Sequence, residues 1–232
     1  TVERIDLNVA PGEIVGFAGI TGSGREHVLA LIAGQIPRES GEVVLDGTTI
    51  ANYRPRHGIR SGLAFVPAER GIRGAIGPMS VRENITICDV NRHFRGGRMR
   101  RRAEVTETKD WISRLSIKTA GTEAPIGSLS GGNQQKVMFG KALRLGPKVL
   151  LLDEPTQGID IGAKDQIHRL IDDAGTEGVA TLIASTDTDE LVRLCHRVVV
   201  MANGRIAAVL VGDHIATERI EHIQLDSSRR AS

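Results

Sequence analysis

The feature that most constrains the fold of this chain is a glycine-rich turn between a short apolar strand and a helix. Residues 14–18 read IVGFA, residues 19–26 read GITGSGRE, and residues 28–33 are apolar at helical spacing. A strand, a glycine loop and a helix in this order can wrap backbone N–H groups around phosphate oxygens. The loop therefore predicts an anion site at the start of a helix, where the helix dipole adds positive charge.

The remaining pattern predicts an α/β fold with a mainly parallel sheet covered by helices on both faces. Predominantly apolar segments at 149–152 and 179–185 are each followed by a helical pattern. Asp-Gly and Asn-Gly turns predict antiparallel hairpins within 41–50 and 197–210. Residues 80–146 lose strand character, which predicts a helical lobe inserted in the sheet-containing core.

The length and the two ends of the chain set the expected domain organisation. The 232 residues are enough for one domain with a smaller lobe, so we expect a single domain over 1–232. The chain starts inside a strand-like pattern, which leads us to expect a fragment of a longer protein. The tail after Asp213 is polar and is expected to be frayed. No apolar run approaches the roughly 18 residues that a membrane span needs.

Two positions of the glycine loop depart from the phosphate-loop pattern GxxxxGK[S/T]. Arg25 stands where lysine reaches the phosphates, and Glu26 stands where a hydroxyl binds magnesium. Arginine is longer and planar and does not replace the lysine point charge. A carboxylate about 4 Å from a phosphate charge is repelled by roughly 4 kcal/mol at an effective dielectric near 20. Two arrangements stay open: Glu26 coordinates magnesium, or it folds back onto the helix N-terminus and occupies the anion site itself.

A second motif lies downstream, where LSGGN at 129–133 opens a helical stretch and VLLLDEP follows at 149–155. Ser130 suits a helix N-cap, and the glycines Gly131 and Gly132 allow a phosphate to approach the helix start. A helix cap alone explains the serine, but it does not explain the whole string so close to VLLLDEP.

Two adjacent carboxylates end the buried strand of this second motif. Asp153 is placed to hold a magnesium ion or its water. Glu154 is placed to polarise an attacking water as a general base. The alternative interpretation of the pair is a solvated turn, or charges near a helix N-terminus.

Together these motifs resemble the ATP-binding cassette of ABC transporters over nearly the full chain. The particular variants are most similar to the second, degenerate cassette of the tandem ATPase subunit of bacterial monosaccharide importers of the ribose, galactose and xylose type. The resemblance implies a P-loop NTPase fold with a mainly parallel sheet flanked by helices, an antiparallel β subdomain and a helical lobe. The motifs that carry it are GITGSGRE (19–26), FVPAER (65–70), SVREN (80–84), LSGGNQQK (129–136), VLLLDE (149–154) and PTQGID (155–160).

The resemblance also implies roles for single residues. Glu69, or Ala68 one residue earlier, falls at the glutamine that contacts the transmembrane partner, and Asp160 falls at the D-loop aspartate. Thr186 stands at the switch histidine, and a short neutral hydroxyl cannot replace an imidazole there. Ser130, Gly131 and Gly132 would act in trans on a partner's nucleotide. The degenerate Walker A that would contact ATP in cis consists of Gly19, Gly22, Ser23, Gly24, Arg25 and Glu26.

The implied cofactors are ATP and magnesium, the latter at Asp153. The implied partners are another ABC cassette (the first cassette of the same full-length chain), a transmembrane permease and, indirectly, a periplasmic sugar-binding protein. The implied location is peripheral, on the cytoplasmic face of the cell membrane. We expect the transporter to be a carbohydrate-transporting ATPase, and this domain alone to be weakly active or inactive, because four functional positions of its own site depart from the family.

Alternatives remain at this point. The chain could be a non-catalytic regulatory or structural cassette that binds nucleotide weakly or not at all, or a soluble ABC-type protein acting on ribosomes or DNA. A net charge of +2 and an aromatic content of 3% argue against a nucleic-acid partner. The basic run RHFRGGRMRRR (92–102) is interpreted as a solvated loop, with contact to an acidic partner surface as the alternative.

Overall fold

The structure, a computed structural model, describes residues 2–229, and a six-stranded sheet with helices against both faces organises them. The strands of the described residues are β1 (Ile14–Ala18), β2 (Val44–Leu45), β3 (Thr48–Thr49), β4 (Leu63–Val66), β5 (Phe94–Arg95), β6 (Arg98–Met99), β7 (Val149–Asp153), β8 (Ala180–Ala184), β9 (Arg197–Ala202) and β10 (Arg205–Val211). The α-helices are α1 (Arg25–Ile32), α2 (Pro55–Ser61), α3 (Val81–Thr86), α4 (Arg101–Arg114), α5 (Gly131–Leu143), α6 (Ile161–Thr176), α7 (Thr188–Leu194) and α8 (Thr217–Arg229).

The central sheet has the strand order β10-β9-β1-β8-β7-β4. Neighbouring strands are parallel, except that β10 runs antiparallel to β9. Every residue of β1 and β8 is buried, as is usual for strands covered on both faces. The predicted hairpins also form, as β2–β3 and β9–β10. The expectation of a mainly parallel sheet with helices and small antiparallel elements is therefore confirmed.

Side chains alternate between two apolar cores, one on each face of the sheet. In β7, Leu150 and Leu152 pack into the larger core, which also takes residues of α5, α6 and α7, while Leu151 packs into the smaller core. In β1, Val15 and Phe17 face that smaller core beside α1. This period of two is the reason that a continuous apolar run forms a strand buried on both faces.

The helical lobe predicted for 80–146 contains α3, α4 and α5. Helix α3 starts with a capping box, in which Ser80 accepts from the Glu83 N–H and the Glu83 carboxylate accepts from the Ser80 N–H. Within the basic run, the interpretation as a plain loop was incomplete, because β5 and β6 pair there as a short hairpin. Two-residue strands are too short to leave a periodic signal in the sequence.

The two ends differ from the expectation drawn from their patterns. Residues 2–9 alternate like a strand but form only a single bridge, between Arg4 and Arg205. The polar tail expected to fray is largely helix α8, anchored by Ile220, which is fully buried. Residues 230–232 lie outside the described part of the chain. Within 2–229, no helix combines the length and hydropathy needed to cross a bilayer.

Candidate functional site

Three loops meet at one edge of the sheet because β1, β7 and β8 are parallel neighbours. The loop 19–26 follows β1, the segment 154–160 follows β7, and residues 185–187 follow β8. Carboxyl ends of adjacent parallel strands form a crevice where ligands bind in open α/β sheets. The topology therefore brings the degenerate Walker A, the carboxylate pair and the switch position together, as the family resemblance implies.

The glycine loop has the backbone shape of a phosphate loop. Gly22 and Gly24 have φ values of 86° and 94°, in the left-handed region that favours glycine. Gly24 is the N-cap of α1, so the helix begins at Arg25 and directs its first N–H groups toward the loop. The loop therefore provides the positive end of a helix dipole at the crevice.

The side chain of Arg25 turns into the protein instead of toward solvent. Only 5% of Arg25 is exposed, and its Nε donates to the carbonyl oxygen of Gly19 over 3.2 Å. Its Nη1 donates to Glu154 Oε1 at 2.9 Å, and the two side chains are 6% and 11% exposed. The residue at the phosphate-binding position of the loop is therefore bound to the residue at the general-base position.

Glu154 is also held from its other side by the switch position. The Thr186 N–H donates to Glu154 Oε1 at 2.9 Å, and the Thr186 hydroxyl donates to Oε2 at 3.2 Å. Glu154 has a φ of 46°, a left-handed conformation that is strained for a residue other than glycine. Both carboxylate oxygens of Glu154 thus accept hydrogen bonds from the protein, which uses lone pairs that a general base would offer to water.

Glu26 adopts the folded-back arrangement that the sequence left open. Its Oε1 accepts the Gly22 N–H at 3.0 Å, and its Oε2 is buried with no hydrogen-bond partner among the described residues. Burial acts to raise the pKa of Glu26, but the N–H groups of Glu26 and Gly22 and the charges of His27 and Arg25 together lower the pKa by more. The Glu26 carboxylate therefore accepts a hydrogen bond from a loop N–H group that a phosphate oxygen would need.

Asp153 lies at the end of β7 beside this ion pair. Burial raises the pKa of Asp153 to about 6, with Arg25 acting against the rise and Glu154 adding to it. Residues 2–229 contain no group of three or more His, Cys, Asp or Glu side chains arranged to hold a metal. The Arg25 guanidinium already supplies positive charge at this point, since it contacts Glu154 and acts on Asp153. The residues at this site therefore do not fit a magnesium ion.

Ser130 stands at the N-cap of α5, as expected, but its side chain does not cap the helix. Its hydroxyl oxygen accepts from Asn133 Nδ2 at 2.9 Å, and it makes no hydrogen bond to an N–H of the first turn. Asn133 Oδ1 in turn accepts the Lys118 N–H at 2.7 Å. The first-turn N–H groups of α5 are thus left without a side-chain cap, which is the condition a bound anion requires.

Close packing surrounds both glycines of the signature, although the neighbour of Gly131 is the end of a flexible side chain that could move. A Cβ at Gly131 would lie 2.7 Å from Arg70 Nη2, and a Cβ at Gly132 would lie 2.5 Å from the Cβ of Ala163. Arg70 donates to the carbonyl oxygens of Gln157 and Gly158 at 2.8 and 3.3 Å. Arg70 therefore joins the FVPAER segment to the D-loop beside the signature. Sequence reasoning missed it, although its place next to Glu69 was a signal.

Other predicted site residues lie outside this ion-pair network. Glu69 is exposed and pairs with Arg73 at 3.2 Å. Asp160 is the N-cap of α6 and accepts the Ala163 N–H at 2.9 Å. The structure thus brings Arg25, Glu154 and Thr186 into direct contact, but it places Glu69 and Asp160 on separate loops.

A buried cluster that sequence reasoning missed connects the D-loop to the switch loop. Glu190, which is 1% exposed, accepts from Thr156 Oγ1 and Ser185 Oγ, each at 2.8 Å. His168 Nε2 lies 3.0 Å from the same carboxylate. Thr156 follows the carboxylate pair and Ser185 precedes Thr186, so this cluster fixes the two loops that hold Glu154.

The site combines a phosphate-type loop after β1 with a carboxylate pair at the end of β7 and a helix, α5, that begins with two glycines. This combination defines the class of ATP-binding cassettes. The chain belongs to the ABC transporter family, whose profile matches residues 2–157. The resemblance drawn from the sequence motifs is therefore confirmed at the level of the family.

Curated relatives share this sequence over nearly all of the chain. It is 40% identical over 219 residues to "Ribose import ATP-binding protein RbsA" of Chelativorans sp. (strain BNC1), covering 94% of this chain and 43% of that protein. It is 41% identical over 217 residues to "Ribose import ATP-binding protein RbsA 1" of Mesorhizobium japonicum, covering 93% of this chain and 42% of that protein. The chain thus spans about two fifths of the length of these relatives.

Solved structures confirm the fold. A dimeric post-hydrolysis state of the ATP-binding cassette MJ0796, bound to ADP and Pi, superposes with a TM-score of 0.77 at 20% identity over 90% of each chain. A nucleotide-free ATP-binding cassette from an ABC transporter gives a TM-score of 0.78 at 22% identity, over 98% of this chain and 90% of that one.

Proposed function

We propose that this chain is the degenerate cassette of a sugar-importing ABC transporter of the ribose type. Its own nucleotide site is blocked by internal charges, and its signature completes the ATP site of a partner cassette. The observation that carries this proposal is the contact between Arg25 and Glu154, because it joins the phosphate-binding position to the general-base position.

The blocked state of the cis site has an energetic basis. A nucleotide entering the loop must displace the Glu26 carboxylate from the Gly22 N–H and free Glu154 from Arg25. Breaking a buried ion pair by removing one partner costs about 3–5 kcal/mol. The contacts that the triphosphate makes with the loop would have to offset a free energy of this order. We therefore expect ATP to bind weakly to this chain's own site.

At the signature, residues 129–133, no side chain of the described residues caps the helix N-terminus where a phosphate would bind. Ser130 leaves the first-turn N–H groups of α5 without a side-chain cap, and Gly131 adds no side chain there. The Arg70 guanidinium lies beside this helix start and adds positive charge. A phosphate of a nucleotide bound to a partner would therefore find an anion site that needs no rearrangement of α5.

The transport role follows from the relatives, whose names describe ribose import. By extension we propose a permease partner contacted through residues 69–84 and the helical lobe, where Ile72 and Ile76 are exposed at 81% and 40%. A periplasmic sugar-binding protein would act indirectly. The cassette would lie on the cytoplasmic face of the membrane, as the first cassette's companion in one longer chain.

A non-catalytic cassette that never binds nucleotide is the second candidate, and the Arg25–Glu154 pair favours it as well. Isothermal titration of ATP into the chain separates the two. The test variant is Arg25→Lys combined with Glu26→Thr, which restores the phosphate-loop chemistry. Because the removed repulsion is of the order of 4 kcal/mol, ATP affinity should rise at least tenfold and at most about a thousandfold.

The matched control for this titration is Arg114→Lys with Glu177→Thr. These residues form an exposed ion pair at 2.8 Å and lie outside the nucleotide site. The control should leave ATP affinity unchanged. Tight ATP binding by the unmodified chain would contradict the blocked site, whereas no gain on repair would support the cassette that never binds nucleotide.

A further inference from the structure

Two helices of the lobe begin in the same way, with a serine at the N-cap and a polar residue three positions later. Helix α3 has Ser80 and Glu83, and α5 has Ser130 and Asn133. The two serines have nearly the same backbone conformation, with φ and ψ of −66° and 164° at Ser80 and of −62° and 156° at Ser130. A serine in this conformation normally accepts an N–H of the first helical turn. A difference in capping between the two helices therefore arises from the side chain at the third helical position.

At the start of α3, Ser80 and Glu83 use each other's polar groups. The Glu83 N–H donates to Ser80 Oγ at 3.2 Å, and the Ser80 hydroxyl donates to Glu83 Oε2 at 2.9 Å. A hydroxyl has one proton to donate. Ser80 therefore has no donor left for a ligand, and its oxygen covers the N–H at the third helical position.

At the start of α5, the direction of the hydrogen bond between the two side chains is reversed. Asn133 Nδ2 donates to Ser130 Oγ at 2.9 Å, whereas Glu83 accepts at the equivalent position of α3. Because the amide donates, the bond does not use the hydroxyl proton of Ser130. No hydrogen bond within residues 2–229 joins Ser130 Oγ to a first-turn N–H. The Asn133 side chain thus leaves both the hydroxyl proton and the backbone N–H groups available at this helix start.

The orientation of the Asn133 amide is fixed from its opposite side. The Lys118 N–H donates to Asn133 Oδ1 at 2.7 Å. Since a backbone N–H can only donate, the amide oxygen has to face Lys118 and the NH2 group has to face Ser130. A flipped amide would place its NH2 group against another donor. The acceptor role of Ser130 therefore follows from the position of the Lys118 N–H.

The segment that carries this N–H is held against α5 by a buried cation. Lys136 is 4% exposed, and its Nζ donates to the carbonyl oxygen of Ser116 at 2.8 Å. Asn133 and Lys136 are three residues apart, so they lie on the same face of α5. Two contacts therefore fix residues 116–118 to this face, and the donor that orients Asn133 is fixed with them.

We propose that Asn133 is a positioning residue of the signature, which keeps the Ser130 hydroxyl and the N–H groups of residues 131–133 ready to bind a phosphate of a partner's nucleotide. Asn133 acts through Ser130 and not by contact with the phosphate. A hydroxyl that accepts one hydrogen bond donates a stronger one, because bonds in a chain polarise each other. The inference rests on the proposed function of the signature in trans, and it adds the residue that sets the state of the serine.

A purely structural role of Asn133 makes a different prediction. If Asn133 only fastened residues 116–118 to α5, its removal would lower stability and leave anion binding at the helix start unchanged. If Asn133 positions Ser130, its removal lets the serine hydroxyl turn back and accept the N–H of residue 133, as Ser80 does with Glu83. A phosphate would then have to displace this cap.

Titration of the isotope-labelled chain with inorganic phosphate, followed by nuclear magnetic resonance, tests the proposal. Phosphate should shift the amide signals of residues 131–133 in the unmodified chain. Asn133→Ala should weaken the affinity read from these signals about fivefold, the usual effect of one hydrogen bond. In the Ser130→Ala chain, Asn133→Ala should have no additional effect, because the residue through which it acts is gone. Asn91→Ala removes an exposed asparagine of the same lobe and is the matched control, which should leave the affinity unchanged.

Three results of this titration would overturn the positioning role. The first is an unchanged phosphate affinity in Asn133→Ala. The second is an equal loss of affinity from Asn133→Ala with and without the Ser130 hydroxyl. The third is the absence of phosphate-induced shifts at residues 131–133 of the unmodified chain.

The ATPase activity of the full-length protein separates this inference from the proposed function. If Ser130→Ala leaves that activity unchanged, the trans role of the signature fails, even where the phosphate titration supports the role of Asn133. If Ser130→Ala reduces the activity but phosphate affinity does not depend on Asn133, the positioning role fails alone.

Discussion

Arg25 Nη1 lies 2.9 Å from Glu154 Oε1, so the phosphate loop and the general-base position of this cassette form one buried ion pair. The two residues are separated by 129 positions in the chain. The contact therefore joins two loops of the site that are far apart in the sequence.

Replacing Arg25 should destabilise the fold. Arg25→Ala leaves Glu154 buried without its guanidinium partner, which costs about 3–5 kcal/mol for a buried pair. Urea denaturation followed by circular dichroism measures the change. Arg114→Ala, which breaks the exposed pair with Glu177, should cost no more than about 1 kcal/mol. A similar small loss at Arg25 would show that the buried pair does not contribute to the free energy of unfolding.

Asp153 should make a measurable contribution to the pH dependence of stability. Its pKa rises from an ordinary 3.8 to about 6 in the folded chain. The folded state therefore holds the proton more tightly, and the contribution to stability is present below about pH 4 and is lost as pH rises through 6. Relative to Asp153→Asn, the unmodified chain should lose about 3 kcal/mol across this range.

Urea midpoints at a series of pH values measure this difference between the two chains. Glu26 has a lowered pKa and acts in the opposite direction, but its contribution is common to both chains and cancels. Parallel stability curves for the unmodified chain and Asp153→Asn would contradict the raised pKa.

If the chain is the second cassette of a transporter, as proposed, the full-length protein should show an asymmetry between its two cassettes. Disabling the Walker A lysine of the first cassette should abolish ATPase activity, whereas Arg25→Lys in this cassette should leave most of it. Ser130→Arg should reduce activity strongly, because the added side chain blocks the N-terminus of α5. Phosphate release from purified protein measures all three. Equal losses from the first-cassette lysine variant and Arg25→Lys would refute the asymmetry.

Arg70 should hold the D-loop against the FVPAER segment. Arg70→Ala removes hydrogen bonds to the carbonyl oxygens of Gln157 and Gly158. We expect faster amide hydrogen exchange across the D-loop, with a small change in overall stability because Arg70 is partly exposed. The matched variant is Arg73→Ala, which loses the exposed pair with Glu69 and touches no carbonyl of the D-loop among the hydrogen bonds of residues 2–229. Unchanged exchange in Arg70→Ala would show that the D-loop is held by other contacts.

Much of the architecture was predictable because its signals are local. Glycines between an apolar strand and a helix predicted the loop at 19–26, and short apolar runs predicted β7 and β8. Helix α8 was missed because its apolar positions are few, and the burial of Ile220 depends on how α8 packs against α7, β9 and β10. The β5–β6 hairpin was missed because its strands have two residues each.

The chemistry of the site was predictable only in part. Residue types alone identified Arg25, Glu26 and Thr186 as departures from the phosphate-loop and switch patterns. They could not determine that Arg25 and Thr186 both bind Glu154, because this depends on how β1, β7 and β8 align their ends. The choice between two positions for the Glu26 carboxylate likewise required the coordinates of the Gly22 N–H.

The internal ion pair has a consequence for how the two halves of such a transporter would sense energy supply. The occupancy of a nucleotide site depends on the concentration of free nucleotide. The Arg25 guanidinium belongs to the chain, so its supply beside Glu154 does not vary with solution concentration as that of a nucleotide does. Under the proposed function a nucleotide must first displace this contact, so the response to the ratio of ATP to ADP would come mainly from the partner cassette.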